Sequence, residues 1–417
     1  MAFLRSLFAG VSGLRNHQLM MDVIGNNIAN VNTIGFKAGR LTFSELYAQT
    51  LKGPTQPVGN TGGTDPIQVG LGISVNTLDT LFTQGNIETT GQTTDLAIQG
   101  PAFFVVNMGG KNLYTRVGTF QLDSTGKLVN PGNGAILQGK LADAAGNIPS
   151  GTALQDILIG LDTQSPAKAT TTVKMAGNLD ASAAVGGTAN ASVSVFDSLG
   201  NEHTVTVTFT KTGANAWSWA AAVPLPATTA STGTIAFNSD GTLNTFTGNP
   251  IAITPNTGAA AMSITLDAGT PTAAPPGVFA GITQTSGTST VTPREQDGYG
   301  AGALSSMSID ATGRVLGTFS NGTVLTLAQV MLAEFNNPGG LVRVGDNTYD
   351  ISGNSGTPAV VTPGETSKIV SGALEQSNVD LADEFTKMIT AQRGFQANAR
   401  VITTSDQFLQ EVVDLKR

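Results

Sequence analysis

The stretch SNVDLADEFTKMITAQRGFQANARVITTSDQFLQEVVDL, residues 377–415, carries Leu381, Phe385, Met388, Gln392, Phe395, Ala399, Ile402, Asp406, Leu409 and Val413 at alternating spacings of four and three. Only Gln392 and Asp406 interrupt the apolar series. Such a stripe is the narrow seam of a coiled coil, not the broad face of a helix lying on a globular core. Gly394 is the sole helix-weakening residue, so a helix from Asp380 to Leu415 would run roughly 50 Å at 1.5 Å per residue. In front of it, Ser377-Asn378-Val379-Asp380 has the form of a capping box, in which a hydroxyl and a carboxylate satisfy the first free backbone N–H groups.

The other end of the chain matches it. Leu4, Leu7, Val11, Leu14, Gln18, Met21, Gly25 and Ile28 repeat the same spacing within the first thirty residues. Gly10, Gly13 and Gly25 each cost about 1 kcal/mol of helix propensity relative to Ala, so this helix needs a partner to persist. A cleaved signal peptide is the weaker reading: one Arg precedes the apolar residues, no A-x-A site follows, and the stripe continues past Arg15. Two matched stripes predict an antiparallel coiled coil of the chain's own ends. A two-helix pair leaves apolar edges uncovered, and further copies of the chain are the natural cover. The expected assembly residues are Leu4, Leu7, Val11, Leu14, Met21, Ile28, Leu381, Phe385, Met388, Phe395, Ile402, Leu409 and Val413.

Composition describes what lies between. The chain has 417 residues, 12% charged, 6% aromatic and 40% hydrophobic, with 51 Gly and 18 Pro. That is the balance of turn-rich β domains with weakly charged surfaces. Strand periodicity is clear in Glu202–Gly213, where Val205, Val207 and Phe209 alternate with Thr204, Thr206, Thr208 and Thr210. Asp-x-x-Gly recurs at Asp123–Gly126, Asp143–Gly146, Asp197–Gly200 and Asp310–Gly313. None carries the alternate oxygen ligands and distal Glu of a calcium loop, so these are hairpin turns.

Pro-rich stretches at Pro54–Pro66, Pro149–Pro166 and Pro271–Pro293 divide the chain. Residues 1–30 and 375–417 form the helical part, and 31–69 with 364–374 the connectors. Residues 70–147 and 294–363 form a first β domain, and 148–293 a second one inserted into it. The fold expected is mainly β, with long terminal α-helices around two nested β domains.

Chemistry finds little footing. No cysteine excludes disulfides, thiol nucleophiles and Cys-based metal sites, and His17 and His203 are too few for a histidine cage. A net charge of −8 with dispersed Lys and Arg gives no nucleic-acid footprint. No apolar run reaches the ~20 residues of a membrane span. The Gly298–Ala303 run fits G-x-G-x-x-A loosely but follows polar residues, not a strand. No catalytic residue, cofactor or metal is expected, and the chain is not expected to be an enzyme. Trp217 and Trp219 are the only candidates for an aromatic recognition patch, which a secreted adhesin-like binding protein would need, and their same-face spacing reads as core.

Three stretches resemble the rod and hook family of bacterial flagellar axial proteins. They are Ala29–Lys37, which contains Asn30, Asn32, Thr33, Gly35, Phe36 and Lys37; Thr89–Gly100 running into Phe103–Val106; and Leu374–Arg417 with its Met388–Asn398 segment. They stand in the family's order over the whole chain. Asp297–Asn354, with Phe319–Gly322 and Phe335–Leu341, is similar to the hook members, while the distal rod members are expected to lack so large an insertion. The resemblance implies a self-assembling helical tube with the terminal helices innermost, the hook of the basal body, acting as a universal joint that carries torque from rod to filament. It implies passage through the flagellar type III export apparatus to the cell exterior without a cleaved signal. It also implies contacts with the rod, the hook cap and the hook–filament junction proteins. The Cys–Lys crosslink of some relatives is impossible here.

Overall fold

The structure is a computed structural model that describes residues 2–57, 59, 62–151, 153–160, 162–224, 228–229, 231–269 and 281–414. Residues 58, 60 and 61 of the first Pro-rich stretch, 152 and 161 of the second and 271–280 of the third lie outside the described residues. The chain divides into unit 1, residues 1–160, 308–316 and 326–417, and unit 2, residues 161–307 and 317–325.

Unit 1 contains both helices, α1 (Ala2–Ala29) and α2 (Leu381–Asp414). They pack antiparallel: Ser6 reaches Ser405, Gly13 faces Asn398, His17 faces Gly394 and Asn27 bonds Glu384. Each step forward along α1 meets an equal step back along α2. The cap of α2 differs from expectation. Asp380, not Ser377, is the N-cap, its carboxylate accepting from the N–H groups of Ala382 at 2.8 Å and Asp383 at 3.3 Å. Ser377 is held upstream because Asn378 beside it is anchored elsewhere, accepting from Ala38 N–H and donating to the Leu81 carbonyl.

After α1 the chain forms a two-stranded ribbon, Gly39–Glu45 with Ile73–Thr80 and Ala48–Lys52 with Ile67–Gly70. Asn16 and Ser12 of α1 clip onto Ile73 of this ribbon. The body of unit 1 is an antiparallel sheet in which Phe103–Met108 pairs with Lys111–Thr115 and Ile136–Leu141. Phe82, Phe103, Tyr114, Phe335 and Tyr349 meet edge to face at its centre, with ring centroids 4.8–6.0 Å apart. Such aromatic pairs add specific geometry to apolar burial.

Unit 2 is a β-sandwich. A five-stranded sheet carries Thr188–Phe196, Glu202–Gly213, Ala216–Ala222, Thr232–Phe237 and Leu243–Phe246 in order. A second sheet is centred on Thr172–Asp180, which pairs in parallel with Met262–Asp267 and Ile282–Thr285 and antiparallel with Thr292–Gln296. Val205, Val207, Phe209, Trp217 and Trp219 from the first sheet interlock with Val173, Met175, Ile264 and Ile282 from the second. The alternation read in Glu202–Gly213 therefore sets an apolar inner face and a hydroxyl-lined outer one, where Thr206 and Ser192 bond across strands.

Three of the four Asp-x-x-Gly segments, at Asp123, Asp197 and Asp310, are hairpin turns between paired strands, and Asp143–Gly146 is a turn with no strand following it until Gln155. In all four, one Asp oxygen accepts from the backbone N–H two and four residues on, and the Gly has φ between +73° and +85°. Asp197 is fully buried at its turn. Burial alone would raise its pKa, but hydrogen bonds from Asn201, His203 and backbone amides hold it well below the usual carboxylate range. At Asp297 burial again opposes, and bonds from Thr171 and Thr172, with Lys168 nearby, bring the pKa to about 2.

A carboxylate depressed in the folded state stabilises it fully above the unfolded value, about 3.9, and loses that contribution as pH falls toward the folded one. The urea midpoint of unit 2, followed by tryptophan emission, is therefore expected to stay level above about pH 5 and to drop between about pH 4 and 2. Asp297→Asn should flatten part of that drop. An unchanged acid slope in this variant would contradict the assignment.

Candidate functional site: the terminal helices and the charged joint that seats them

The seam between α1 and α2 runs along small and polar residues. A Cβ on Gly13 would stand 2.6 Å from the Asn398 amide, and one on Gly394 would stand 2.6 Å from the His17 ring. Ala391 and Ser405 are buried on the same side. Gly10 and Gly13, two of the three glycines that weaken α1 on its own, are what let the two backbones approach, each helix offering a gap where the other offers a side chain.

Of the apolar stripes read from the sequence, Ile402 enters the seam, its side chain 3.2 Å from where a Cβ on Gly10 would stand, and other members flank it. Leu7, Leu14, Met21, Ile28, Met388, Phe395 and Ile402 are half-buried. Val11, Leu381, Phe385, Leu409 and Val413 are exposed, Phe385 at 50% and Val413 at 66%. The side chain of Leu4 lies outside the described residues. A strict four–three template misses Phe8, Ile389 and Phe408, which are also more than half exposed. Drift of a 3.6-residue helix against a 3.5-residue repeat spreads the apolar surface over more positions than the template counts.

The family-signature residues Asn30 to Lys37 fold into a tight exit from α1. The Asn30 amide donates to the Asn26 carbonyl and accepts from the Thr33 hydroxyl, while Asn32 is exposed. Gly35 has φ +68°, and a Cβ there would meet the Arg116 backbone at 2.9 Å. Its N–H donates to the backbone carbonyl of Glu375 at 2.8 Å. Phe36 is buried under the Arg343 guanidinium, 5.5 Å from its ring centroid, and Arg343 also donates to the Lys37 carbonyl.

Lys37 then enters a fully buried charge cluster. Its ammonium lies 2.6 Å from Glu375 and 2.8 Å from the Thr83 carbonyl, and Arg116 lies 3.3 Å from the other Glu375 oxygen. Gly85 N–H donates to Glu375 as well, and Arg116 donates to the Gly100 carbonyl. Burial lowers the pKa of both Lys37 and Arg116, against the opposing pull of the Glu375 carboxylate. One carboxylate thus fastens the segment leaving α1, the sheet and the segment entering α2.

Above it, Asn27 donates to Gly39 and to Glu384, binding α1, the ribbon and α2 together. Sequence reasoning found Lys37 but not Glu375, Arg116, Arg343, Asn27 or Glu384. Among the described residues no group of three or more metal-ligating side chains occurs. None of the described helices is long and apolar enough to cross a membrane. The described geometry is a helix pair seated on a buried charge cluster.

The comparisons with known proteins agree over the whole chain. Residues 7–37 match the family described as flagella basal body rod protein, and 97–178 the flagellar hook protein FlgE/F/G D1 domain. Residues 160–299 match the flagellar basal body protein FlaE D2 domain, and 370–415 the flagellar basal body rod FlgEFG protein C-terminal family. The flagellar hook protein FlgE of Borreliella burgdorferi is 40% identical over 99% of this chain and 100% of its own. The chain belongs to the flagellar hook protein family. It is a structural subunit of the flagellar hook, part of the axial structure of the flagellum.

The hook protein FlgE of Treponema pallidum is likewise 40% identical over 99% of this chain and 100% of its own. The flagellar basal-body rod protein FlgG of Bacillus subtilis is 31% identical over 99% of this chain and 100% of its own. Identity favours hook over rod, at 40% for the two hook proteins against 31% for this rod protein. The crystal structure of the Helicobacter pylori flagellar hook protein FlgE2 shares the fold, with a TM-score of 0.53 at 14% identity over 69% of this chain and 100% of that one.

Proposed function

We propose that the chain polymerises into a helical tube through the stripe Leu4, Leu7, Val11, Leu14, Met21, Ile28, Leu381, Phe385, Met388, Phe395, Ile402, Leu409 and Val413, and that this tube is a flexible universal joint carrying torque from rod to filament. The carrying observation is the apolar side of the helix pair: Phe385, Leu409 and Val413 remain uncovered after α1 and α2 have paired. Soluble surfaces of this kind are covered in the working assembly, and a contact repeated head to tail makes an open helical polymer.

In this reading residues 1–30 and 375–417 assemble, 31–69 and 364–374 connect, and 70–147 with 294–363 form the supporting β domain. Residues 148–293 tune curvature through hydroxyl-rich, weakly charged contacts that water can bridge. The chain leaves the cell through the flagellar type III export apparatus and is not an enzyme. It meets the rod at one end of the hook, and the hook cap and junction proteins at the other.

Negative-stain electron microscopy of the full chain beside a variant lacking Leu381–Arg417 tests the assembly. Tubes or curved polymers from the full chain alone are expected, and polymers from both would overturn the role of the stripe. Curved polymers are expected, and straight ones would argue against the universal-joint role. The adhesin alternative loses its recognition patch, because Trp217 and Trp219 are both 1% exposed.

A further inference from the structure

Charge is segregated along α2. Between Lys387 and Asp406 its only charged residues are Arg393 and Arg400, and all those from Asp406 to Asp414 are acidic: Asp406, Glu411 and Asp414. On α1, the exposed Arg15 lies next to the Gly13–Asn398 contact and so joins the same basic level. Lys387 is satisfied within its own helix by Asp383 at 2.7 Å and Glu384 at 2.9 Å. Arg393, Arg400, Glu411 and Asp414 are exposed and form no ion pair among the described residues. Within the described helix beyond Lys387, the nearest opposite charges, Arg400 and Asp406, are six positions apart, beyond the three or four that pair side chains along a helix, while Lys416 and Arg417 lie outside the described residues.

Arg393, Arg400 and Glu411 nevertheless share a face. Seven, eleven and eighteen residues separate them, close to two, three and five full turns. That face is opposite the buried seam residues Ala391 and Ser405, so it points away from α1. It also carries the exposed apolar Phe385 and Ile389.

We infer that this face docks a second copy of the chain, running in the same direction but shifted along the helix axis by about 15–30 Å, with Glu411 and Asp414 of one copy on Arg393 and Arg400 of the next. The inference rests on the assembly reading above and adds to it a second contact face, on the side of α2 opposite Phe395, Ile402 and Leu409, together with its register. Eleven residues of helix span about 17 Å and eighteen about 27 Å, the shifts that bring Glu411 opposite Arg400 or Arg393. An unshifted neighbour would set arginine against arginine and carboxylate against carboxylate. The same charges thus reject the flush arrangement and favour the staggered one. Apolar stripes give adhesion without choosing a shift, because neighbouring turns offer similar surfaces; sparse, segregated charges supply the choice.

The test uses the full chain polymerising onto sheared hook fragments, with polymer recovered by sedimentation. The double variants Arg393→Glu/Arg400→Glu and Glu411→Arg/Asp414→Arg are each expected to raise the critical concentration about tenfold or more. The variant with all four changes is expected to return to within about threefold of the parent. A fourfold variant no better than the doubles, or doubles that polymerise like the parent, overturns the stagger.

A second measurement does not depend on reversing charge. In this cysteine-free chain, Glu411→Cys combined with Arg400→Cys for the shorter shift, or with Arg393→Cys for the longer, should in one of the two pairs give a ladder of disulfide-linked oligomers on oxidation of the polymer. None of these cysteines alone should, and polymer without a ladder from either pair also overturns the stagger. Phe385→Asp/Leu409→Asp separates the two readings. If it blocks polymerisation while the fourfold variant fails to recover, only the stagger falls; if it polymerises like the parent, the assembly reading falls.

Discussion

Glu375→Leu is expected to destabilise unit 1 by about 3–5 kcal/mol, because it strands two buried cations at once. Lys37 and Arg116 are 0% and 1% exposed at their side chains, and among the described residues no other carboxylate is paired with either. Removing one member of a buried ion cluster costs far more than the cluster contributes, since what remains is an uncompensated charge in a low-dielectric interior. The Gly85 N–H would also lose its acceptor.

The two units can be read separately in one experiment. Both long helices lie in unit 1 and both tryptophans in unit 2. The urea transition at 222 nm should therefore move to lower denaturant by about 1–5 M, given slopes of about 1–3 kcal/mol per molar. The transition in tryptophan emission should stay in place. The triple variant Lys37→Met/Arg116→Met/Glu375→Leu should recover most of the loss, as apolar replacement of whole buried clusters does elsewhere. A single Glu375→Leu variant with an unmoved 222 nm transition would show that the cluster does not seat the helices.

This cluster also marks where the sequence stops being legible. Lys37 was visible as part of a signature, yet its partner Glu375 is 338 positions away, and Arg116 pairs with Glu375 across 259. No periodicity links residues so far apart. The helices themselves were legible because a stripe repeating every three or four residues is a local signal, and so were the Asp-x-x-Gly turns, where one side chain closes its own backbone. What the stripe concealed was the seam. Apolar periodicity marks the surface that seeks cover, whereas α1 and α2 meet where Gly10, Gly13 and Gly394 permit close approach. Glycine reads as a weakness in one helix and becomes a contact only when the second helix is present.

The cap shows the same limit on a smaller scale. Ser377 and Asp380 both suit a helix start, and the choice between them was made by Asn378, whose side chain is held by Ala38, Leu81 and Thr83 nearly 300 positions or more away. The ribbon at 39–80 was hidden for a different reason. Most of its residues are at least partly exposed on both faces, so no clean alternation of apolar and polar residues announces it.

Trp219→Ala is expected to remove about 3–5 kcal/mol from unit 2. The indole is 1% exposed, stacks on Phe246 with centroids 5.5 Å apart and donates to the Thr247 carbonyl at 2.9 Å. It lies over Gly233 on the neighbouring strand, where a Cβ would come within 2.6 Å of the ring nitrogen. Alanine would leave a hole that this backbone cannot close, because the strands on both sides are fixed by their ladders to Thr232–Phe237 and Glu202–Gly213. It would also leave the Thr247 carbonyl without its indole donor. Emission from the remaining Trp217 should report an earlier urea transition while the 222 nm signal of the helices holds its position. If the terminal pair alone determines assembly, this variant should still polymerise at the parent's critical concentration. The tubes should bend differently if, as proposed, this unit supplies the contacts that tune curvature. Loss of polymerisation in a variant whose helices remain folded would mean that unit 2 takes part in building the tube, and that assembly and flexibility are not divided between the two units.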